Sequence, residues 1–306
     1  MTRILLTGAN GFIGRQIACA LVEQGHDVIA VSRAGVAPVP GMQALAMDVL
    51  DEAQHTKIAA VKADILIHSA WITTHGVYWT SPENVRWEAA TLALAKAFIA
   101  AGGKRIVGIG TCVEYDLTDN EPLDEITSRL APHTPYGQAK LRTWMALKAL
   151  ADEAGIAVVW CRLFHLYGPL EGRERLVPAV ILPLLRGEEA RTSPGTQMRD
   201  FLSSTEAGRA IAHVALSGAI GPVNIGSGQP ITIAALVTML ADMLGRRNLL
   251  RLGAIPLRSD DPAVIVPKTE RLAATGFTLK TDLVSGLSGA IAYWKHENLL
   301  ENEART

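Results

Sequence analysis

Arg3-Ile-Leu-Leu-Thr7 runs without a break into Gly8-Ala-Asn-Gly11-Phe-Ile-Gly14. The first five residues are a short apolar run, the length of a buried strand. Ile13, Ile17, Leu21 and Val22 then recur at helical spacing until Gly25. Strand, glycine turn and helix in that order bring backbone amides to a helix N-terminus, where the dipole favours an anion. Glycines there let the backbone approach a pyrophosphate. The spacing is G-x-x-G-x-x-G rather than G-x-G-x-x-G, and three glycines alone are a weak signal. Their place between a strand and a helix, starting at residue 8, makes Gly8, Asn10, Gly11, Phe12, Ile13 and Gly14 a candidate dinucleotide cradle.

Outward from that turn the pattern repeats. Residues 27–31 read as a second strand, 44–47 as a third, 64–68 as a fourth, 105–110 as a fifth and 157–163 as a sixth. Helices are predicted over 51–61, 82–101 and 136–153. Alternating strands and helices specify an α/β fold, a Rossmann-type doubly wound parallel sheet covered on both faces. Ligands of such sheets bind outside the carboxyl ends of the strands. The second strand ends at Ser32-Arg33. An acidic residue there would bind a ribose 2′-hydroxyl, whereas arginine accommodates a 2′-phosphate, so NADP(H) is favoured and NAD(H) remains possible. Asp48 closes the third strand, placed for the adenine. The loop over residues 72–81, with Thr73, is rich in Thr, Trp, Tyr and His and is expected to border the active site.

The candidate chemistry lies in Thr134-Pro135-Tyr136-Gly137-Gln138-Ala139-Lys140. Tyr136 and Lys140, four apart on a helix, share one face. A free phenol has a pKa near ~10. A neighbouring ammonium stabilises the phenolate and is expected to lower that value, letting the pair exchange a proton with a substrate hydroxyl or carbonyl. Thr111, straight after the fifth strand, can hydrogen-bond the same oxygen.

Composition narrows the class. The 306 residues are 49% hydrophobic and 19% charged, enough for one large or two modest domains. A net charge of −1 without a dense basic run calls for neither nucleic acid nor an anionic membrane. No apolar run reaches the ~20 residues that cross a bilayer. A strand beginning at Arg3 leaves no room for a signal peptide, so a soluble cytoplasmic protein is expected. Cys19, Cys112 and Cys161 are too few and too scattered for a disulfide framework or a metal site, and no metal is expected. After residue 165 the clean alternation stops. The expected division is therefore an NAD(P)-binding domain over 1–165 and a smaller substrate domain over 166–306, with a strand near 222–226 returning to the first. The charged tail after Glu297 is expected to fray.

Taken together, these residues resemble the extended short-chain dehydrogenase/reductases, in the nucleotide-sugar epimerase/dehydratase/ketoreductase branch. The resemblance runs through Thr7-Gly8-Ala-Asn-Gly11-Phe-Ile-Gly14, Asp48-Val49, His68-Ser69-Ala70, Thr111 four residues before Tyr115, and Tyr136-Gly-Gln-Ala-Lys140. It continues through Leu166-Tyr-Gly-Pro169, Arg199-Asp-Phe201 and Asn224-Ile-Gly-Ser-Gly228. It implies the catalytic set Thr111, Tyr136 and Lys140, a C-terminal nucleotide-sugar domain, and a homodimer packed through the two long helices. Cofactor contacts implied beyond the cradle are Ser32, Arg33, Asp48, Val49, His68, Ser69, Ala70, Tyr136, Lys140 and Leu163. Implied substrate contacts are Thr73, Thr111, His165, and Arg199 and Arg258 as bidentate grips on a sugar-nucleotide diphosphate.

Departures from the family sort the reactions. Its 4,6-dehydratases carry Asp-Glu directly after the catalytic threonine; here those positions are Cys112 and Val113. Its epimerase–reductases place a cysteine two positions after the catalytic hydroxyl, and Cys112 is one after. His165 stands for an asparagine before the Tyr-Gly-Pro turn, Trp87 for one in the helix before the fifth strand, and Ser204-Thr205-Glu206 lacks the family aspartate. The expected activity is an NADPH-dependent ketoreductase of a nucleotide-activated 4-keto-6-deoxyhexose, with hydride delivered to C4 and Tyr136 as general acid. The alternatives are an NAD-dependent nucleotide-sugar 4-epimerase and a non-catalytic NADP-binding regulator.

Overall fold

The structure, a computed structural model, describes residues 1–303. Its elements in chain order begin with β1 Arg3–Thr7, α1 Phe12–Glu23, β2 Asp27–Ser32, β3 Gln43–Ala46, α2 Ile58–Val61, β4 Ile65–His68, α3 Glu83–Ala100 and β5 Arg105–Thr111. There follow α4 Pro135–Ala154, β6 Ala157–Leu163, β7 His165–Tyr167, α5 Leu176–Leu185, β8 Ala190–Arg191, β9 Met198–Ser203, α6 Ser204–Leu216 and β10 Gly221–Ile225. The chain closes with β11 Pro230–Thr232, α7 Ile233–Met243, β12 Leu250–Arg251, β13 Val264–Ile265, α8 Glu270–Ala273 and α9 Leu283–Glu303.

Seven strands form one parallel sheet in the order β10-β6-β5-β4-β1-β2-β3. Strands buried on both faces need apolar residues at successive positions. Ile4, Leu5 and Leu6 meet that need, and all three are buried. Ile4 and Leu6 join Ile17, Leu21, Ala207 and Ile211 in a core between the sheet and α1 and α6. Leu5 faces the opposite core with Leu94, Phe98, Trp144 and Leu147 from α3 and α4. The register aligns the ends of the strands that carry chemistry: Thr7 pairs with His68, Thr111 with Leu163, and Leu163 with Ile225.

Beyond β6 a smaller sheet gathers around β9, with β11 antiparallel and β7 and β13 parallel to it. A separate core of Val177, Ile181, Leu184, Leu236, Leu240 and Ile291 packs α5, α7 and α9. Two expectations, for residues 51–61 and for the tail, need correction. Residues 51–61 form a 3-10 turn over Glu52–Lys57 before the short α2, because Asp51 caps the turn through Ala53. The apolar segment after residue 175 is a helix, since Pro178 lies in its first turn, where no amide partner is needed. The tail after Glu297 continues α9 to Glu303 rather than fraying, and residues 304–306 lie outside the described residues. Among the described residues no helix is long and apolar enough to cross a membrane.

Candidate active site

The glycine turn is built for close approach. Gly8 sits at φ 69°, and a Cβ there would lie 2.7 Å from the Ala70 amide. A Cβ on Gly14 would collide with the Gly8 carbonyl. Gly11 donates to that same carbonyl at 2.9 Å and caps α1 without a side chain. The first amides of α1 are therefore left for an outside acceptor. Ser69 Oγ is buried without a partner and borders Gly14. A cradle that any Cβ would fill, beside an orphaned hydroxyl, fits the pyrophosphate of a dinucleotide.

The other cofactor-side residues divide into those that face solvent and those that brace the turn. Asn10 and Ser32 both donate to the Val36 carbonyl, at 3.3 and 3.1 Å, fixing the loop after β2. Arg33 is exposed and holds no ion pair among the described residues. Asp48 accepts from the Leu50 amide at 3.0 Å, and the buried Val49 gives its carbonyl to His55 at 2.9 Å. His68 bridges Thr7 at 2.8 Å and Thr91 at 2.9 Å, tying β1, β4 and α3 together. Burial pushes its imidazole down to about 3, so it is neutral. Its side chain is thus committed to the interior, and the chain that meets the cradle is Ser69-Ala70.

The candidate catalytic trio converges at the end of β5, separated from β1 in the sheet by β4 alone. Thr134 caps α4 through the Gly137 amide at 3.1 Å, and Pro135 opens it. The Tyr136 amide bonds the Trp79 carbonyl at 3.1 Å, and its phenol lies by the Thr111 side chain, which pulls its pKa down against the stronger effect of burial. Tyr78 and Trp79 set ring edges against Tyr136 at centroid distances of 4.8 and 5.8 Å. Lys140 is 5% exposed and donates to the Ile109 carbonyl at 2.9 Å. Its Nζ lies 6.0 Å from the Tyr136 ring centroid.

The electrostatics correct the expectation of a phenol made acidic by lysine. Burial holds the Tyr136 phenol well above its ordinary value, with Tyr78 and Glu114 adding to the rise. Burial also brings Lys140 down to about 7, against the opposing pull of Glu114. Desolvation therefore dominates both groups, with Lys140 buried and Tyr136 partly buried.

Sequence reasoning missed the groups behind this trio. Glu114 is fully buried, accepts from the Thr111 amide at 2.9 Å and from Trp160 Nε1 at 3.0 Å, and pairs with Arg162 Nε at 2.8 Å. Arg162 reaches Tyr115 at 3.0 Å, and Tyr115 donates to Asn224 at 2.7 Å. The one available signal was Glu114 three residues after Thr111, a capping-box spacing. Arg175, at the start of α5, lies 5.8 Å from the Tyr78 ring centroid.

On the substrate side, Thr73 is exposed on the loop after β4 and Leu163 is half-buried at the end of β6. His165 Nδ1 is buried without a partner, and its ring lies tilted against Phe201 with centroids 5.6 Å apart. Burial, with Arg199 and Arg175 nearby, pushes it down to about 3. Arg199 is not the free fork the resemblance implied. It is 3% exposed, with Nη2 bonding Asp261 at 2.6 Å and the Pro262 carbonyl at 2.8 Å, and Nη1 bonding the Met198 carbonyl at 2.8 Å. Its charge reaches the site while most of its N–H groups serve the protein. Arg258 is 80% exposed and pairs with Asp260. In the departures, Thr91 bonds the Trp87 carbonyl at 2.7 Å, and Glu206 is a buried partner of Arg209 and Thr281. Cys112 is buried and its thiol is pushed up to about 12, which leaves it inert as an acid or base.

With this geometry in hand, comparison with known proteins gives consistent results. The NAD dependent epimerase/dehydratase family matches residues 4–226. The chain is similar to the UDP-glucose 4-epimerase of Corynebacterium glutamicum, 25% identical over 294 residues and covering 88% of each chain. It is also similar to dTDP-6-deoxy-L-talose 4-dehydrogenase (NAD(P)(+)) of Kitasatospora kifunensis, 28% identical over 259 residues and covering 79% of each. Among solved structures, MoeE5 in complex with UDP-glucuronic acid and NAD superposes with a TM-score of 0.83 at 27% identity, covering 96% of this chain and 99% of that one.

Proposed function

The chain belongs to the NAD dependent epimerase/dehydratase family, and from that premise we propose that it interconverts C4 epimers of a nucleotide-linked hexose. The observation that carries the reading is the convergence of Thr111, Tyr136 and Lys140 beside two uncharged neighbours, Cys112 and Val113, where an elimination would need an acid/base pair. The relatives named as a 4-epimerase and a 4-dehydrogenase support chemistry at C4.

When bound, NAD(P) would supply hydride acceptance and hydride return at C4. Gly8, Gly11, Gly14 and Ser69 would hold its pyrophosphate, and Lys140 would face its nicotinamide ribose. Tyr136, protonated at neutral pH because burial raises its phenol, donates a proton to the C4 oxygen whenever hydride arrives there. Removing a proton from the C4 hydroxyl in the opposite direction requires a phenolate. The Lys140 ammonium and the Thr111 hydroxyl offset the cost of that charge in a dry site. Thr111 also orients the C4 oxygen. The segment after residue 165 would supply the nucleotide-sugar contacts, with the unpartnered His165 Nδ1 and Arg175, beside the Tyr78 ring, as candidates.

Arg33 favours a second reading, a 4-ketoreductase using NADPH, since its exposed guanidinium is free to meet a 2′-phosphate. One experiment separates the two. Freshly purified protein is denatured and its nucleotide identified, then wild type is incubated with UDP- and dTDP-hexoses without added cofactor. Retained NAD and C4 epimers in the products support the epimerase. Turnover only with added NADPH and a 4-keto sugar supports the reductase. Absence of both reactions across the panel sinks each. A homodimer through α3 and α4 is proposed alongside, with exposed Val85 and Met145 on those helices; light scattering that gives the mass of a single chain would reject it.

A further inference from the structure

Lys140 is fixed by a group that the C4 chemistry does not itself require. The Trp71 indole lies beneath its ammonium, with Nζ 3.7 Å from the ring centroid. That indole is pinned in turn: Nε1 donates to Asn84 Oδ1 at 2.9 Å. Asn84 is 1% exposed and uses its amide nitrogen on the Tyr78 carbonyl at 2.7 Å and the Ser81 carbonyl at 3.0 Å. The same loop carries the Tyr78 and Trp79 rings that edge onto Tyr136.

We propose that Trp71, held by Asn84, is a positioning residue that stabilises the Lys140 ammonium through its ring face and fixes it against β5. A cation over an indole face in a desolvated site is attracted by the ring quadrupole. Few other groups face this ammonium among the described residues. They are the Ile109 carbonyl on β5, the Glu114 carboxylate after it, neutral His68 on β4, Tyr136 on its own helix and the Trp160 ring on β6 at 6.0 Å. Glu114 is engaged by Thr111, Trp160 and Arg162, so its field at Lys140 is shared. Trp71 and the Ile109 carbonyl are the uncharged groups in direct contact that favour the charged form, and of the two Trp71 is the side chain. Asn84 couples that contact to the wall beside Tyr136, so one buried amide sets the surroundings of both catalytic side chains.

The test needs neither substrate nor cofactor, so it stands or falls apart from the epimerase reading on which its functional meaning rests. Protein labelled with lysine carrying ¹³C at the ε position is titrated by NMR, with Lys140→Met assigning the resonance. In Trp71→Leu the Lys140 midpoint falls by about one pH unit, a tenfold loss in proton affinity, while Trp71→Phe, which keeps a ring face, recovers most of the shift. Asn84→Ala moves it in the same direction as Trp71→Leu. In wild type the Lys140 ε-protons resonate upfield, shielded by the indole face. The absence of that shielding, an unchanged midpoint in Trp71→Leu, or a Trp71→Phe midpoint equal to that of Trp71→Leu each overturns the proposal. The wild-type shielding decides the matter should Trp71→Leu fail to fold. In active enzyme, Trp71→Leu brings the alkaline limb of kcat/KM to lower pH by the same amount.

Discussion

The two ends of the site are made of different material. At the β1–α1 turn the contacts offered to a ligand are backbone, and the residues matter for what they lack: Gly8 and Gly14 leave space that any Cβ would occupy. At the β5–α4 corner the contacts are side chains, and those of Tyr136 and Lys140 are set by others from distant parts of the chain. Thr111 leans on Glu114, Lys140 on Trp71 and Ile109, Tyr136 on Tyr78 and Trp79. The first end tolerates no added atom; the second tolerates no lost partner. Shape decides one, desolvation the other.

That contrast can be broken from either side, beginning with the largest effect. Gly14→Ala drives a methyl into the Gly8 carbonyl; it abolishes NAD(P) binding by calorimetry and costs about 1–3 kcal/mol in thermal unfolding, because the turn must open. Normal cofactor affinity in this variant would remove the cradle from the account. At the other end, Tyr136→Phe lowers kcat roughly 10²–10⁴-fold yet leaves the cofactor affinity of the cradle intact. Equal losses in binding and turnover would mean that the two ends are not separable.

A structural effect of similar size is expected behind the trio. Glu114→Ala leaves the Arg162 guanidinium buried and uncompensated, costing about 3–5 kcal/mol in urea unfolding. Glu114→Gln keeps the shape and costs less, and a reversed ranking would refute a role for the charge.

The last expected effect is a pH dependence. Lys140 is about 7 in the folded chain against 10.5 for a free lysine, so folding disfavours its charged form. The unfolded chain binds the extra proton between those values, and wild-type stability rises with pH across that window. Lys140→Met, which has no charge to bury, is therefore more heat-stable than wild type at pH 6. The gap closes as pH climbs from about 7 to 10.5. A gap that stays constant would show that the ammonium is not desolvated.

How far the molecule was legible follows the same division. β1, β6 and the glycine turn could be read closely, since apolar runs and glycine spacing are local signals. Thr111, Tyr136 and Lys140 were legible as candidates because one strand end and one helical turn place them. Arg199 and Arg258 were matched by motif, but nothing in the letters around Arg199 indicated that Asp261 and three backbone carbonyls would take up its fork. Trp71, Asn84 and Glu114 read as ordinary loop or helix residues. Their parts depend on neighbours that no periodicity brings together.

The sequence by itself determined the order of strands and helices, the turn that suits a pyrophosphate, and the two side chains that share a helical face. These depend on backbone stereochemistry and on spacings of a few residues, which act before any distant contact forms. The tertiary structure alone decided how much water reaches Tyr136 and Lys140, and hence that both resist charge. Desolvation is a sum over everything packed around a group, and here β4, β5, β6, α3 and α4 all contribute to it.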